Sequence, residues 1–278
     1  MKLQPSSGSS SNMPLRVCGF MSGSGTNLIR IMEHQYELQD REGKPIYEVV
    51  LIFSDSKNSR AREISSEHDV PYICKDINDF YRSRGHENKK DLSLRPEFDR
   101  ETVEAIREFR ADVIALAGYM SIVTEPLLEA YLGRIFNVHP ADLSIKTEDG
   151  KRKFTGLHAV RDAILAGNRE LRASTHVVRH KVDYGEVILI SNPIPVEIPS
   201  ELTIEELTRP ENAELLSQLT EAHQNRLKNA GDWVIYPKTL ELFAKGRVRL
   251  DGRGNVFLDG RRFENGICWE VLEKEFDA

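Results

Sequence analysis

The stretch GRIFNVHPADLSI, residues 133–145, ends an apolar run with an Asn and a His two positions apart, just before a Pro. Alternation along a strand sends residues i and i+2 to one face. Asn137 and His139 therefore project side by side where the strand RIFNVH (134–139) runs out. Upstream, the same change of period recurs. PLRVCGFM (14–21), YEVVLIFS (47–54), VPYICK (70–75) and ADVIALAGYM (111–120) read as buried strands. Between them TNLIRIMEHQYEL (26–38), SRAREISSEHD (59–69), EFDRETVEAIREFR (97–110) and TEPLLEAYL (124–132) carry helical spacing, the last with Thr124 as N-cap and Pro126 in its first turn. The polar run 82–96 reads as a loop. Strands alternating with helices predict an α/β fold with a doubly wound, mostly parallel twisted sheet and helices on both faces.

Downstream the character changes. LHAVRDAILAG (157–167) is helical, whereas ASTHVVRH (173–180) and EVILISNPIPV (186–196) are β-rich and joined by KVDYG as a hairpin-like excursion. Residues 201–229 and 232–246 are helical, and RVRLDGRGNVFLDGRRF predicts two short strands about a Gly-containing turn. The expected organisation is a flexible Ser-rich leader (1–13), a catalytic domain (14–200) and a helical and short-strand extension (201–278) packed on the same domain.

Composition narrows the function classes. The chain has 278 residues and a net charge of −6. That acidity argues against nucleic acid as a partner; the short basic runs at 151–153 and 261–262 read as solvated loops. Three scattered cysteines fit no zinc or redox spacing and suit a reducing, cytoplasmic setting. No apolar stretch approaches the roughly 20 residues of a membrane span.

Two features carry chemistry. FMSGSGTNLI puts glycines between a strand and a helix. It is neither a Walker motif nor a complete dinucleotide fingerprint. It reads either as a turn that merely needs Gly, or as a phosphate site on the backbone amides of Gly25, Thr26 and Asn27. The second feature is the polar set Asn137, His139, His158, His176, His180 and Asp183. An amide beside an imidazolium, with a carboxylate favouring the charged ring, can stabilise an oxyanion developing on a carbonyl. These histidines could equally pack or cap. His176 and His180, four apart on a strand, would admit a metal with His139 and Asp183, but the spacing is not a zincin motif and no metal is expected.

These residues carry a resemblance. SGSGTNL, ADVIALAGYMSIV, GRIFNVHP, GLHA and STHVVRHKVDYGEVIL together resemble the 10-formyltetrahydrofolate-dependent formyltransferases, most closely those acting on glycinamide ribonucleotide (GAR), over about residues 15–196. The resemblance implies a Rossmann-like formyltransferase fold with 10-formyltetrahydrofolate as co-substrate. It implies that Asn137 binds the formyl oxygen and that His139 is the cationic acid. Asp183 would raise the pKa of His139 and order a water. Met120, Ser121, Ile122 and Val123 would line the pterin pocket. The turn of Arg179, His180, Lys181, Val182 and Asp183 would close over it, and Arg95 would contact folate. Gly25, Thr26 and Asn27 would hold the substrate phosphate, and Asp232 would take the place of a ribose-binding Glu. The expected partners are small molecules, with a monomer or homodimer as the assembly. The segment after His139-Pro140 is longer and more polar than the family pattern. That leaves as alternatives a formyltetrahydrofolate deformylase, a formyltransferase for another phosphorylated amine, and a non-catalytic folate- or nucleotide-binding protein.

Overall fold

A computed structural model describes residues 13–86, 89, 91–251 and 254–276. Residues 1–12, most of the expected leader, lie outside the described residues. The strands are β1 (Leu15–Met21), β2 (Tyr47–Ser54), β3 (Tyr72–Cys74), β4 (Val113–Leu116), β5 (Ile135–His139), β6 (Glu170–Leu171), β7 (Ser174–Val177), β8 (Val187–Ile190), β9 (Ile194–Pro195), β10 (Val248–Leu250), β11 (Val256–Leu258), β12 (Arg261–Phe263) and β13 (Ile267–Cys268). The helices are α1 (Thr26–Glu42), α2 (Ala61–His68), α3 (Ile77–Ser83), α4 (Arg95–Ile106), α5 (Glu125–Ala130), α6 (Ala159–Leu165), α7 (Ile204–Leu207), α8 (Ala213–Leu227), α9 (Trp233–Ala244) and α10 (Trp269–Glu275).

Eight strands form one sheet in the order β13-β8-β7-β5-β4-β1-β2-β3. Pairing is parallel from β5 through β4, β1 and β2 to β3. It is antiparallel where β7 joins β5 and β8 joins β7, and parallel again where β13 joins β8. Strands buried on both faces need continuous apolar sequence, and β2 and β4 supply it. Their alternate residues feed two cores. Val113 and Ala115 of β4 pack with Leu28, Ile31, Ile164, Tyr236 and Leu240 from α1, α6 and α9. Ile114 and Leu116 pack with Phe80, Phe98 and Leu127 from α3, α4 and α5. Helices thus cover both faces.

The C-terminal residues are built into this unit. β13 is an edge strand of the main sheet. The buried Tyr236 hydroxyl on α9 donates to the Phe136 carbonyl at 2.8 Å.

Four local expectations change. The run before residue 84 contains α3, whose N-cap Asp76 accepts from the Asn78 and Asp79 amides at 3.0 Å. Its single apolar cluster, Ile77, Phe80 and Tyr81, is too short for periodicity to register. α4 begins at Arg95, inside the expected loop. Thr124 precedes α5 but does not cap it; its amide and hydroxyl both donate to Asp99 Oδ2, at 2.6 and 2.7 Å. The tail forms a three-stranded meander, β10-β11-β12, rather than two strands.

Candidate active site

The parallel strands β1, β2, β4 and β5 end on one side of the sheet, the side where open α/β folds bind ligands. At the end of β5, Asn137 and His139 share a face as alternation requires. β7 lies alongside with Asn137 paired to His176 and His139 to Ser174. The excursion between β7 and β8 turns back to bring Asp183 between the two histidines. Its Oδ2 is 3.6 Å from His139 Nδ1 and its Oδ1 is 3.6 Å from His176 Nε2. His176 Nε2 also meets the Asn137 amide nitrogen at 3.3 Å, and its Nδ1 faces the Val177 carbonyl at 2.9 Å. His139, His176 and Asp183 are all buried.

Burial lowers the pKa of both rings. Burial pushes His139 below the ordinary histidine range, while Asp183 and the Phe154 carbonyl push it up and Arg152 adds to the fall; burial prevails. Asp183 does favour the charged ring, but a ring with little water around it loses more hydration than one carboxylate at 3.6 Å returns. Yet both ring nitrogens face acceptors, Asp183 at Nδ1 and the Phe154 carbonyl at Nε2, 3.0 Å away. With Nε2–H donating to that carbonyl, Nδ1 is left facing the carboxylate, where a second proton would be held. His176 is pushed down to about 4, chiefly by burial.

The segment after β5 packs directly over this cluster. A small hairpin, with Lys146 bridged to Arg152, leads into Phe154 and Gly156. The Gly156 amide donates to Asp183 Oδ2 at 2.8 Å. Arg152 donates to the carbonyls of Asp183 and, at 2.7 Å, Gly185.

At the end of β1, Gly25 takes the left-handed conformation (φ 68°) and opens α1. The φ favours Gly, and a Cβ there would also lie 2.5 Å from Ile64 Cδ1, a side-chain end that would have to move. No described side chain caps α1. The first-turn amides, including those of Thr26 and Asn27, thus have no intrahelical acceptor and form an anion-binding end. Beside them the Trp233 indole donates to Asn27 Oδ1 at 3.0 Å. Asp232 is buried there, its Oδ1 without a partner among the described residues, and burial raises its pKa to about 7.

A third region follows β4. Met120 and Ile122 are exposed, Ser121 is half-buried and Val123 is buried. Arg95 lies beneath them at 1% exposure. Its Nε donates to the Ile122 carbonyl at 2.6 Å and its Nη2 to the Tyr119 hydroxyl at 2.9 Å. With those two donors Arg95 supports the segment from below, while its Nη1 has no partner among the described residues. Arg179 is likewise folded back, in a two-pronged pair with Glu186 at 2.7 and 2.9 Å. His180 points outward to Glu125 at 2.9 Å, away from His176, so the possible metal quartet is not assembled. Lys181 lies over the Tyr184 ring and Val182 is exposed. An open, largely apolar groove of about 600 Å³ separates α5 from residues 178–180. Among the described residues there is no group of three or more His, Cys, Asp or Glu placed to hold a metal ion.

Sequence reasoning missed Asp55, Arg152, Phe154 and Trp233. Asp55 accepts from Ser22 Oγ at 2.6 Å and from Ser121 Oγ, tying the first strand end to the third region. Its position directly after the apolar strand YEVVLIFS was the available signal. Arg152, in a polar surface-like run, offered none.

Asn137, His139 and Asp183 thus gather at the end of β5, in the same sheet as the strand that leads into the uncapped helix end. Residues 15–220 match the formyl transferase family, and the chain belongs to that family. It is 26% identical over 247 residues to the phosphoribosylglycinamide formyltransferase of Haemophilus influenzae, covering 88% of this chain and 94% of that one. It is 26% identical over 234 residues to the trifunctional purine biosynthetic protein adenosine-3 of Drosophila pseudoobscura pseudoobscura, covering 84% of this chain but only 14% of that protein's length. The solved structure of glycinamide ribonucleotide transformylase 1 from Symbiobacterium toebii superposes with a TM-score of 0.60 at 28% identity, covering 88% of this chain and 94% of that one.

Proposed function

We propose that the chain transfers the formyl group of 10-formyltetrahydrofolate to the primary amine of GAR, a cytoplasmic step of de novo purine biosynthesis. The observation that carries this reading is the convergence of Asn137, His139 and Asp183 at the end of β5, a few strands from a phosphate-ready helix end. Residues 14–200 supply the catalytic domain, and 201–278 complete it by contributing Asp232 beside Asn27.

The substrate phosphate sits on the amides of Gly25, Thr26 and Asn27, with Asp232 toward the ribose. The pterin lies between residues 120–123 and the 179–183 turn, with Arg95 holding the first of these in place. The amine attacks the formyl carbon directly. Asn137 donates its amide hydrogen to the formyl oxygen as negative charge develops there. His139 takes up the proton that the attacking amine releases, its new charge offset by Asp183, and so stabilises the tetrahedral intermediate before passing the proton on. Collapse breaks the bond to N10 of the folate; the amine loses one proton and N10 gains one, so the proton count closes within the site. Juxtaposing two substrates in one cleft supplies much of the rate.

A steady-state assay with 10-formyltetrahydrofolate, with and without GAR, tests the reading. Folate product that depends on the ribonucleotide supports it. Product without any amine makes the protein a deformylase, and binding without turnover makes it a sensor.

A further inference from the structure

The hairpin inserted after β5 touches the reacting region at three points within five residues. The Phe154 carbonyl meets His139 Nε2 at 3.0 Å, the Gly156 amide meets the Asp183 carboxylate at 2.8 Å, and Arg152 reaches the main chain of the Asp183 turn. Its two terminal nitrogens divide between the carbonyls of Asp183 and Gly185. Asp183 has φ 58°, a left-handed conformation that a non-Gly residue keeps only when its surroundings hold it. The guanidinium presents two donors in a fixed fork, which suits two carbonyls of one turn; an ammonium does not offer that geometry.

We propose that Arg152 is a positioning residue, clasping the Asp183–Gly185 turn so that the Asp183 carboxylate stays between His139 and His176. The inference rests on the formyl-transfer reading for its effect on turnover, but the clasp itself can be measured without substrate. The clasp also sets a charge balance. His139 faces Asp183 from the turn, His176 from β7 and Arg152 from the hairpin, with Asn137 beside it on its own strand. Tyr184 and Glu186 face Arg152, and Glu186 is itself paired to Arg179. Arg152 opposes protonation of His139, whereas Asp183 favours it.

Two variants separate clasp from charge. Arg152→Ala removes both; Arg152→Lys keeps the charge and loses the fork. Amide hydrogen exchange at residues 183–185 should accelerate by about tenfold or more in both. Turnover with GAR and 10-formyltetrahydrofolate should fall roughly tenfold to a hundredfold in both, as a misplaced group costs. KM for GAR should stay within about twofold, because the phosphate loop lies on another strand end. The His139 titration followed by NMR should move downward in Arg152→Lys, which keeps the opposing charge but lets Asp183 drift away, and fall less in Arg152→Ala, where that opposing charge is lost as well. Wild-type exchange rates in Arg152→Ala overturn the proposal, whatever happens to turnover. Should Arg152→Ala fail to fold, Arg152→Lys carries the same exchange test. If the unmodified chain transfers no formyl group, the functional reading fails instead, and the exchange rates still decide what Arg152 does.

Discussion

Gly185 tests the site's architecture through a single methyl group. Its backbone lies so close to β7 that a Cβ would sit 1.7 Å from the Val177 carbonyl oxygen and 2.7 Å from its carbon. An ordinary carbon–oxygen contact is roughly 3.3 Å or more. Gly185→Ala must therefore part the turn from the strand by about 1.6 Å, and the neighbour is main chain, which cannot rotate aside. The same carbonyl receives His176 Nδ1 at 2.9 Å, the neighbouring Val177 amide donates to Glu186 at 2.9 Å, and the Gly185 carbonyl accepts from Arg152 at 2.7 Å. Overpacking of this kind costs about 1–3 kcal/mol. Weakening one or two of these hydrogen bonds adds about 1 kcal/mol. Urea unfolding should thus show a loss of about 2–4 kcal/mol. Asp183 lies two residues away, so displacement by about 1 Å should also lower kcat by about a hundredfold. Stability within about 0.5 kcal/mol of wild type, with turnover intact, would refute the placement of this turn.

Three further outcomes follow from the buried groups. Asp183→Asn and His139→Ala should each abolish most turnover while leaving ribonucleotide binding, read by calorimetry, much less affected. Asp232 titrates near 7 because it is buried; its folded pKa exceeds its unfolded value, so the stability it contributes is lost as pH rises from about 4 through 7. Asp232→Asn should then stabilise the unliganded protein at pH 8 by about 2–4 kcal/mol while raising KM for the ribonucleotide; an unchanged melting curve at pH 8 contradicts the burial argument. His176 behaves in the opposite sense: its folded value near 4 lies below the unfolded one, so stability present above about pH 6.5 is lost as pH falls toward 4. Thermal melts between those limits should show up to about 3 kcal/mol of loss, and His176→Gln should flatten the slope.

The sequence by itself determined the layered fold and the shared face of Asn137 and His139 at a strand end. Continuous apolar runs such as YEVVLIFS, short and rich in β-branched and aromatic residues, read as strands covered on both faces, and the helical spacing between them supplies the covers. Asn137 and His139 were legible because the two-residue period of a strand is local, and SGSGTNL because a strand-to-helix turn with Gly is local too. Only the tertiary structure decided what surrounds those residues. Asp183 lies far along the chain from His139, and nothing in the spacing shows that it also meets His176, or that Arg152 and Phe154 fold over both. The balance of burial against attraction at His139 depends on how much water the hairpin excludes, which no local pattern records. Arg95 and Arg179 make the same point. Their charge is legible in the sequence, but their partners, the Ile122 carbonyl for one and Glu186 for the other, are not. Periodicity carries the backbone's plan; solvation and long-range contact, which exist only once the chain has closed on itself, assign the side chains their roles.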